Sequence, residues 1–200
     1  EYLDDDCILT DVGSVKANIH EEVQALGIGK YFIGGHPMAG SEKSGYSNSK
    51  AMLIENAYFI LTPTDQVARE KVDAYEKFVE SLKALPVILD YQIHDQITGT
   101  ISHLPHIIAS TLVNFVKTHD TKDEMMKNLA AGGFKDITRI ASSSPEMWEQ
   151  ICMTNSENIL KVLDDYIRNL EDIRGALEQK NGSAINTLFR ESRDYRNSFS

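Results

Sequence analysis

Two strings early in the chain put reactive side chains directly after short apolar runs. In DVGSVK, Asp11–Lys16, a serine, Ser14, follows the run 7–11; in GGHPMAGSEKSG, Gly34–Gly45, a histidine, His36, follows the run 31–35 and two glycines. In open parallel sheets ligands collect beyond the carboxyl ends of strands, so a hydroxyl and an imidazole at two such ends would face one crevice. Histidine is the side chain best suited to take a proton near neutral pH. Each residue alone has a plainer reading, Ser14 as a helix cap and His36 as a solvent-facing turn residue before Pro37. Their pairing at neighbouring strand ends is what points to a site.

Two further strings lie downstream. HDQITGTISHLPH, His94–His106, carries His103 and His106 three apart on one helical face. No further cysteine or carboxylate sits at a recognised ligand spacing, so the pair reads as hydrogen-bonding groups in a polar pocket beside Pro105 rather than as metal ligands. His94 lies half a turn from His103 and is expected to serve elsewhere. AAGGFKDITRIASSSPEMW, Ala130–Trp148, holds Asp136 and Arg139, with Gly132 and Gly133 expected to end a helix and Ser144 with Pro145 to open the next. Arg139 is the only arginine between Arg69 and Arg168 in a chain of net charge -10. Its planar fork matches a carboxylate, although Asp136 could equally hold it in a structural ion pair. Trp148 reads as core by default.

The acidic balance argues against a nucleic-acid partner, which requires clustered Lys and Arg. No apolar run is long enough for a membrane span, and Cys7 and Cys152 match no metal spacing, so a cytoplasmic protein with reduced thiols is expected. Gly40–Gly45 is followed by Tyr46 where a phosphate loop needs lysine, and G-x-G-x-x-G is absent from the 200 residues.

The elements that must position these groups change character near Asp90. Before it, β-rich runs at 7–11, 31–35, 57–61 and 86–90 alternate with amphipathic segments, which predicts an α/β domain over 1–90 with a parallel sheet. One helix is expected to carry Val15, Ile19, Val23 and Leu26 and stop at Gly27; another carries Val72, Tyr75, Phe78, Val79 and Leu82. Over 91–200 helices take over. Ile93, Ile97, Ile101, Leu104, Ile108, Leu112 and Phe115 form one apolar stripe, with a kink expected at 101–105 because Pro105 lacks a donor and crowds the preceding turn. Ile159, Leu163, Tyr166, Leu170, Ile173 and Leu177 make a coiled-coil-like seam that ends at Asn181 and Gly182.

Taken together, the four strings resemble the prephenate/arogenate dehydrogenase family in order and spacing, over nearly the whole chain. The resemblance implies an α/β plus all-α fold: a partial Rossmann-like parallel sheet followed by a helical dimerisation domain. It implies NAD(P)-dependent oxidative decarboxylation of prephenate to 4-hydroxyphenylpyruvate in tyrosine biosynthesis, with NAD or NADP as cofactor, arogenate as the alternative substrate, and a homodimer. By the same resemblance His36 is the base, and Ser14 holds the substrate hydroxyl and the nicotinamide. Arg139 takes a substrate carboxylate, and His106 contacts the ring side. Glu42, Asp136 and Trp148 shape or gate the pocket, His103 is a further pocket residue, and Gly13 and Met38 join Ser14 on the cofactor side. Because the family's pyrophosphate-binding glycine loop is missing from these 200 residues, the chain alone is expected to be inactive. A non-catalytic dimerisation fragment is the reading from another class. A related hydroxyacid dehydrogenase would use a lysine base on the long helix, where this sequence offers histidines.

Overall fold

A computed structural model describes residues 3–40 and 45–199. The chain groups into two compact units, residues 1–159 and 160–200. The first unit holds a three-stranded sheet in the order β1 (Ile33–Pro37), β2 (Tyr58–Pro63), β3 (Leu85–Ile88). It is mixed rather than parallel: β1 runs antiparallel to β2, with Ile33 opposite Pro63, whereas β2 and β3 are parallel, with Tyr58 opposite Leu85. Parallel neighbours need a crossover of about a dozen residues or more, usually a helix. The 13-residue helix α2 (Arg69–Ser81) supplies one between β2 and β3, while the described residues between β1 and β2 form only short 3₁₀ turns at Tyr46–Asn48 and Ala51–Leu53. The expected first strand contributes a single parallel bridge, Leu9 to Phe32, in which the Leu9 N–H donates to Tyr31 O (2.7 Å) and the Ile33 N–H to Leu9 O (2.9 Å).

The core of this layer is Ile33, Phe59, Leu61, Val72, Tyr75, Val79 and Ala84. Helix α2 buries Val72, Tyr75 and Val79 but leaves Phe78 and Leu82 exposed, so its buried stripe is narrower than the sequence pattern. In α1 (Ala17–Ala25) Val23 is buried with His20, and Leu26 is exposed. The helix stops where expected: Gly27 takes φ 67, its N–H reaches Gln24 O, and the Ile28 N–H reaches Val23 O. That pair of bonds satisfies the last carbonyls, and the positive φ is one that glycine adopts without a side-chain clash.

Downstream, α3 (Tyr91–Thr98) is capped by Asp90, whose side chain accepts from the Gln92 and Ile93 N–H groups. It continues through a π-helical turn, Gly99–His103, into α4 (Leu104–His119). The expected kink therefore takes the form of a widened turn, which relieves the clash between the Pro105 ring and the carbonyl four residues earlier. The apolar stripe does not face the core. Ile93, Ile97 and Ile101 are exposed, whereas His94, Asp95, Thr98, Gly99 and His103 are buried. A buried polar face is stable only when its groups are hydrogen-bonded, as these are, and the apolar face is left as a surface able to receive another protein.

Two short helices, α5 (Met125–Leu129) and α6 (Gly132–Thr138), precede a 3₁₀ turn at Arg139–Ser142 and α7 (Pro145–Thr154). Gly132 and Gly133 open α6 rather than ending a helix; neither has the positive φ of a glycine stop. Ser144 does cap α7, accepting from the Met147 N–H at 3.3 Å, with Pro145 in the first turn. Helix α8 (Ser156–Glu178) and α9 (Gly182–Arg196) follow, the latter capped by Asn181. Among the described residues of 160–199 none is buried, and Leu160, Ile167, Leu170, Leu177 and Phe189 are exposed. No helix among the described residues is long and apolar enough to cross a membrane.

Gly35 occupies the tightest part of β1. A Cβ there would lie 2.6 Å from Asp11 O and 3.0 Å from the Phe59 ring, so the glycine admits a neighbouring backbone rather than a ligand. Gly35→Ala is expected to lower unfolding free energy by roughly 1–3 kcal/mol through overpacking against a backbone that cannot retreat. Urea denaturation reads this directly, and an unchanged midpoint would show that the two segments can separate.

Candidate active site

The floor of the site is built from buried charge. The Lys16 side chain is fully buried; its ammonium pairs with Asp11 Oδ2 and donates to Gly35 O at 2.7 Å. Asp11 in turn accepts from the Gly13 N–H (2.8 Å) and the Gly35 N–H (3.1 Å), tying the DVGSVK loop to β1. A second carboxylate, Asp95 of α3, accepts from the backbone N–H groups of Lys16 (2.9 Å) and Ala17 (2.8 Å) at the start of α1. Ser14 is therefore not the cap of α1. The exposed donors of that helix end are satisfied from another helix, which leaves the Ser14 hydroxyl outside the capping scheme.

On this floor the sequence-predicted residues mostly converge. Ser14, His36, Met38, His103, His106, Arg139 and Trp148 line one cavity of about 340 Å³, together with Ser102, Ile140, Met147 and Ile151. Gly13 lines an adjoining depression that shares Ser14, Met147 and Ile151 with the first. Asp136 is exposed on α6 and is not among the described residues lining the cavity. Glu42 lies outside the described residues. Trp148 is a cavity wall rather than core, stacked on His106 with ring centroids 3.7 Å apart and edge-on to His103 at 5.9 Å.

The sequence reading missed the residues behind this wall. His36 Nδ1 lies 2.8 Å from His94 Nε2, and His94 Nδ1 lies 2.7 Å from Asp95 Oδ1; both His94 and Asp95 are buried. Asn155 Nδ2 donates to Asp95 O (2.8 Å) and lies 3.0 Å from His103 Nδ1. Since an amide NH₂ only donates, His103 accepts at Nδ1 and its neutral ring carries the proton on Nε2. His106 Nδ1 lies 2.9 Å from the Ser102 carbonyl, an acceptor, so there the proton is on Nδ1 and Nε2 is left to accept. The signal for His94 and Asp95 was their adjacency on a helix whose opposite face is apolar.

Electrostatics keep these rings neutral. Burial, then the neighbouring His94, Lys16 and His103, push His36 down to about 3. Burial, helped by His94 and His106 and opposed by Asp95, pushes His103 down to about 4. Burial lowers His20 and His106 as well, and draws Lys16 below the ordinary lysine value against the pull of Asp11. His36 is thus a proton acceptor throughout the neutral range, not a group that titrates within it.

Comparison with known proteins brings the same residues into a wider frame. A family model described as the prephenate dehydrogenase nucleotide-binding domain matches residues 1–88, and one described as the prephenate dehydrogenase dimerization domain matches residues 90–191. The prephenate dehydrogenase of Bacillus subtilis is 40% identical over 197 residues, covering 97% of this chain and 53% of that protein. The chain spans about half the length of the curated relatives it matches. Among solved structures, Aquifex aeolicus prephenate dehydrogenase in complex with hydroxyphenyl propionate and NAD+ superposes with TM-score 0.89 at 32% identity, over 97% of this chain and 68% of that one. Synechocystis arogenate dehydrogenase superposes with TM-score 0.87 at 29% identity, over 100% of this chain and 72% of that one.

Folding lowers the pKa of His20, His36, His103 and His106, so the unfolded chain takes up protons first as pH falls. The stability these neutral rings contribute is complete above the ordinary value of 6.5 and is lost as pH falls from there toward the folded values, about 3 for His36 and about 4 for His103. Denaturant-derived stability should therefore drop between pH 7.5 and 5, by up to about 1.4 kcal/mol per pH unit for each such histidine. His36→Asn should make that slope shallower, and a flat profile would mean the folded rings take protons freely.

Proposed function

The chain belongs to the prephenate dehydrogenase family, and on that premise we propose that it carries the site of an NAD(P)-dependent enzyme that oxidises and decarboxylates prephenate to 4-hydroxyphenylpyruvate. The observation that carries this reading is that His36, Ser14 and Arg139 line one cavity. Residues 1–90 then belong to the dinucleotide-binding domain and 91–200 to the helical one. The similarity to an arogenate dehydrogenase favours arogenate as the second candidate substrate.

The chemistry suits the residue types. The substrate ring loses a hydride from the carbon bearing its hydroxyl while its carboxylate leaves as carbon dioxide, so aromaticity supplies the drive. What the protein must do is take the hydroxyl proton, hold a dianion and fix the ring against the hydride acceptor. His36 takes the proton, Ser14 orients the hydroxyl, and the Arg139 fork binds a carboxylate. The His106–Trp148 stack offers a flat wall for the ring, with His103 beside it. NAD(P)+, when bound, supplies the hydride acceptor. The adjoining depression fits a flat nicotinamide: Val12 is 67% exposed there, Gly13 adds no side-chain bulk, and Ser14 borders both spaces, with Met38 on the cavity side.

For assembly, the outward apolar face of Ile93, Ile97 and Ile101 supports a homodimer formed through the helical region. The description of the model matching residues 90–191, a dimerization domain, favours the same reading.

In the intact enzyme His36→Asn should cut kcat on the order of a hundredfold or more with little change in KM. Arg139→Lys, which keeps the charge and loses the fork, should raise KM more than it lowers kcat. Steady-state turnover of prephenate and of arogenate checks both, and near-normal kcat in His36→Asn would remove it from the mechanism. For the assembly, light scattering should give a dimer mass for the wild type and a shift toward monomer for Ile97→Glu. A monomeric wild type sinks that reading.

A further inference from the structure

His94 and Asp95 lie behind the cavity wall, reach no part of the cavity lining, and yet are buried in contact with the one ring the mechanism needs. Asp95 is saturated with donors. Its oxygens accept from the Lys16 and Ala17 N–H groups and stand 2.7 Å from His94 Nδ1. Backbone N–H groups can only donate, so this carboxylate accepts throughout, and the His94 proton belongs on Nδ1. A neutral His94 then has its lone pair on Nε2, the atom 2.8 Å from His36 Nδ1. That contact needs a proton from His36, which leaves Nε2 of His36 as the unprotonated nitrogen of a ring that lines the cavity.

We infer that His94 and Asp95 are positioning residues for His36: they fix its Nδ1–H tautomer, so that Nε2 is the proton acceptor, and they steady the imidazolium formed when it accepts. The inference rests on His36 being the base. When Nε2 takes the substrate hydroxyl proton, the positive ring keeps its Nδ1–H on His94 Nε2, and His94 keeps its Nδ1–H on the carboxylate. The chain of three groups thus ends on a negative charge and no proton is lost or gained beyond the one transferred. The other charged or titratable groups around the pair are the Lys16 ammonium, Asp11 and His103, named among the charges acting on His36. Lys16 and His103 act against a cation on His36, so the carboxylates Asp95 and Asp11 are the local groups that favour one.

The arrangement also accounts for the inverted burial of α3. The helix turns His94, Asp95 and Thr98 inward and its isoleucines outward. Thr98 Oγ1 donates to the His94 carbonyl at 3.0 Å, and the Asn155 amide holds the Asp95 carbonyl, so the segment carrying the pair is held from two sides. A positioning group held this firmly loses little freedom when it acts.

The test uses the intact enzyme with ¹⁵N-labelled histidine. In wild type at neutral pH, nitrogen NMR should find His36 and His94 both protonated at Nδ1 and bare at Nε2. His36 with its proton on Nε2 overturns the inference without any reference to activity. In kinetics, His94→Leu removes the acceptor and should lower kcat about a hundredfold with KM within about threefold. His94→Gln, whose side-chain carbonyl can still accept from His36 Nδ1, should recover part of that loss. His36→Asn is measured alongside. If it is dead while His94→Leu turns over normally, the positioning role fails and the base stands. If both turn over normally, the base reading itself fails and this inference goes with it.

Discussion

A fully buried ammonium constrains the rest of the site. Lys16 has no exposed surface, and an unpaired charge in that position is not tolerated, because removing one partner of a buried pair typically costs about 3–5 kcal/mol. Asp11 and the Gly35 carbonyl must therefore stay within reach of it. The same Asp11 carboxylate holds the Gly13 and Gly35 N–H groups, so the loop bearing Ser14 and the strand bearing His36 are fixed to one another through a single side chain. Surface pairs such as Lys30–Asp5 and Arg69–Asp73 do nothing comparable, since exposed partners gain little over water. The pair is a specification device: it sets where two functional side chains emerge, and glycine at 35 follows from the closeness it demands.

Asp95 extends that logic to the helical part. Its carboxylate ends α1 by taking the Lys16 and Ala17 N–H groups, and its backbone carbonyl receives Asn155 from the turn before α8. Three segments remote in sequence are thereby locked at one point. Because the α3 face that meets them is polar and satisfied, it can be buried without penalty, and the isoleucine face is released to the surface. In a helix lying over a catalytic floor, the buried side is chosen by hydrogen-bonding partners as much as by apolar area.

This explains what was legible in the sequence and what was not. Strand-end positions, the Ser144–Pro145 helix start, the Gly27 stop and the disturbance at Pro105 are local effects, and each was read from a few neighbouring residues. The convergence of Ser14, His36 and Arg139 was reached by topology and by resemblance together. The apolar stripe of 93–115 was found correctly as a stripe but assigned to the wrong side. Periodicity reports that a helix has two faces and is silent on which one meets the core. The antiparallel β1–β2 pairing was missed because the run at 57–61 carries the same composition in either direction. The Lys16–Asp95 and His36–His94 contacts join residues 79 and 58 apart, a range at which spacing carries no information.

With those partners assigned, the cavity has two chemical ends. His36 and His106 are each committed to a neighbour at Nδ1, with His94 and the Ser102 carbonyl, which leaves their Nε2 atoms as acceptors. His103 is committed the other way by Asn155 and carries a donor at Nε2. The Trp148 Nε1–H is buried without a hydrogen-bond partner among the described residues, a state that costs about 1–3 kcal/mol unless something accepts from it. Arg139 adds a cationic fork to the same lining. Acceptors suit a hydroxyl that must lose its proton, and donors suit carboxylates that must stay ionised. A small anion bearing both would therefore be oriented by the tautomers of its surroundings before any contact of shape. Those tautomers are set by Asp95, Asn155 and a backbone carbonyl, none of which lines the cavity, so the polarity of the site is decided one layer behind its surface.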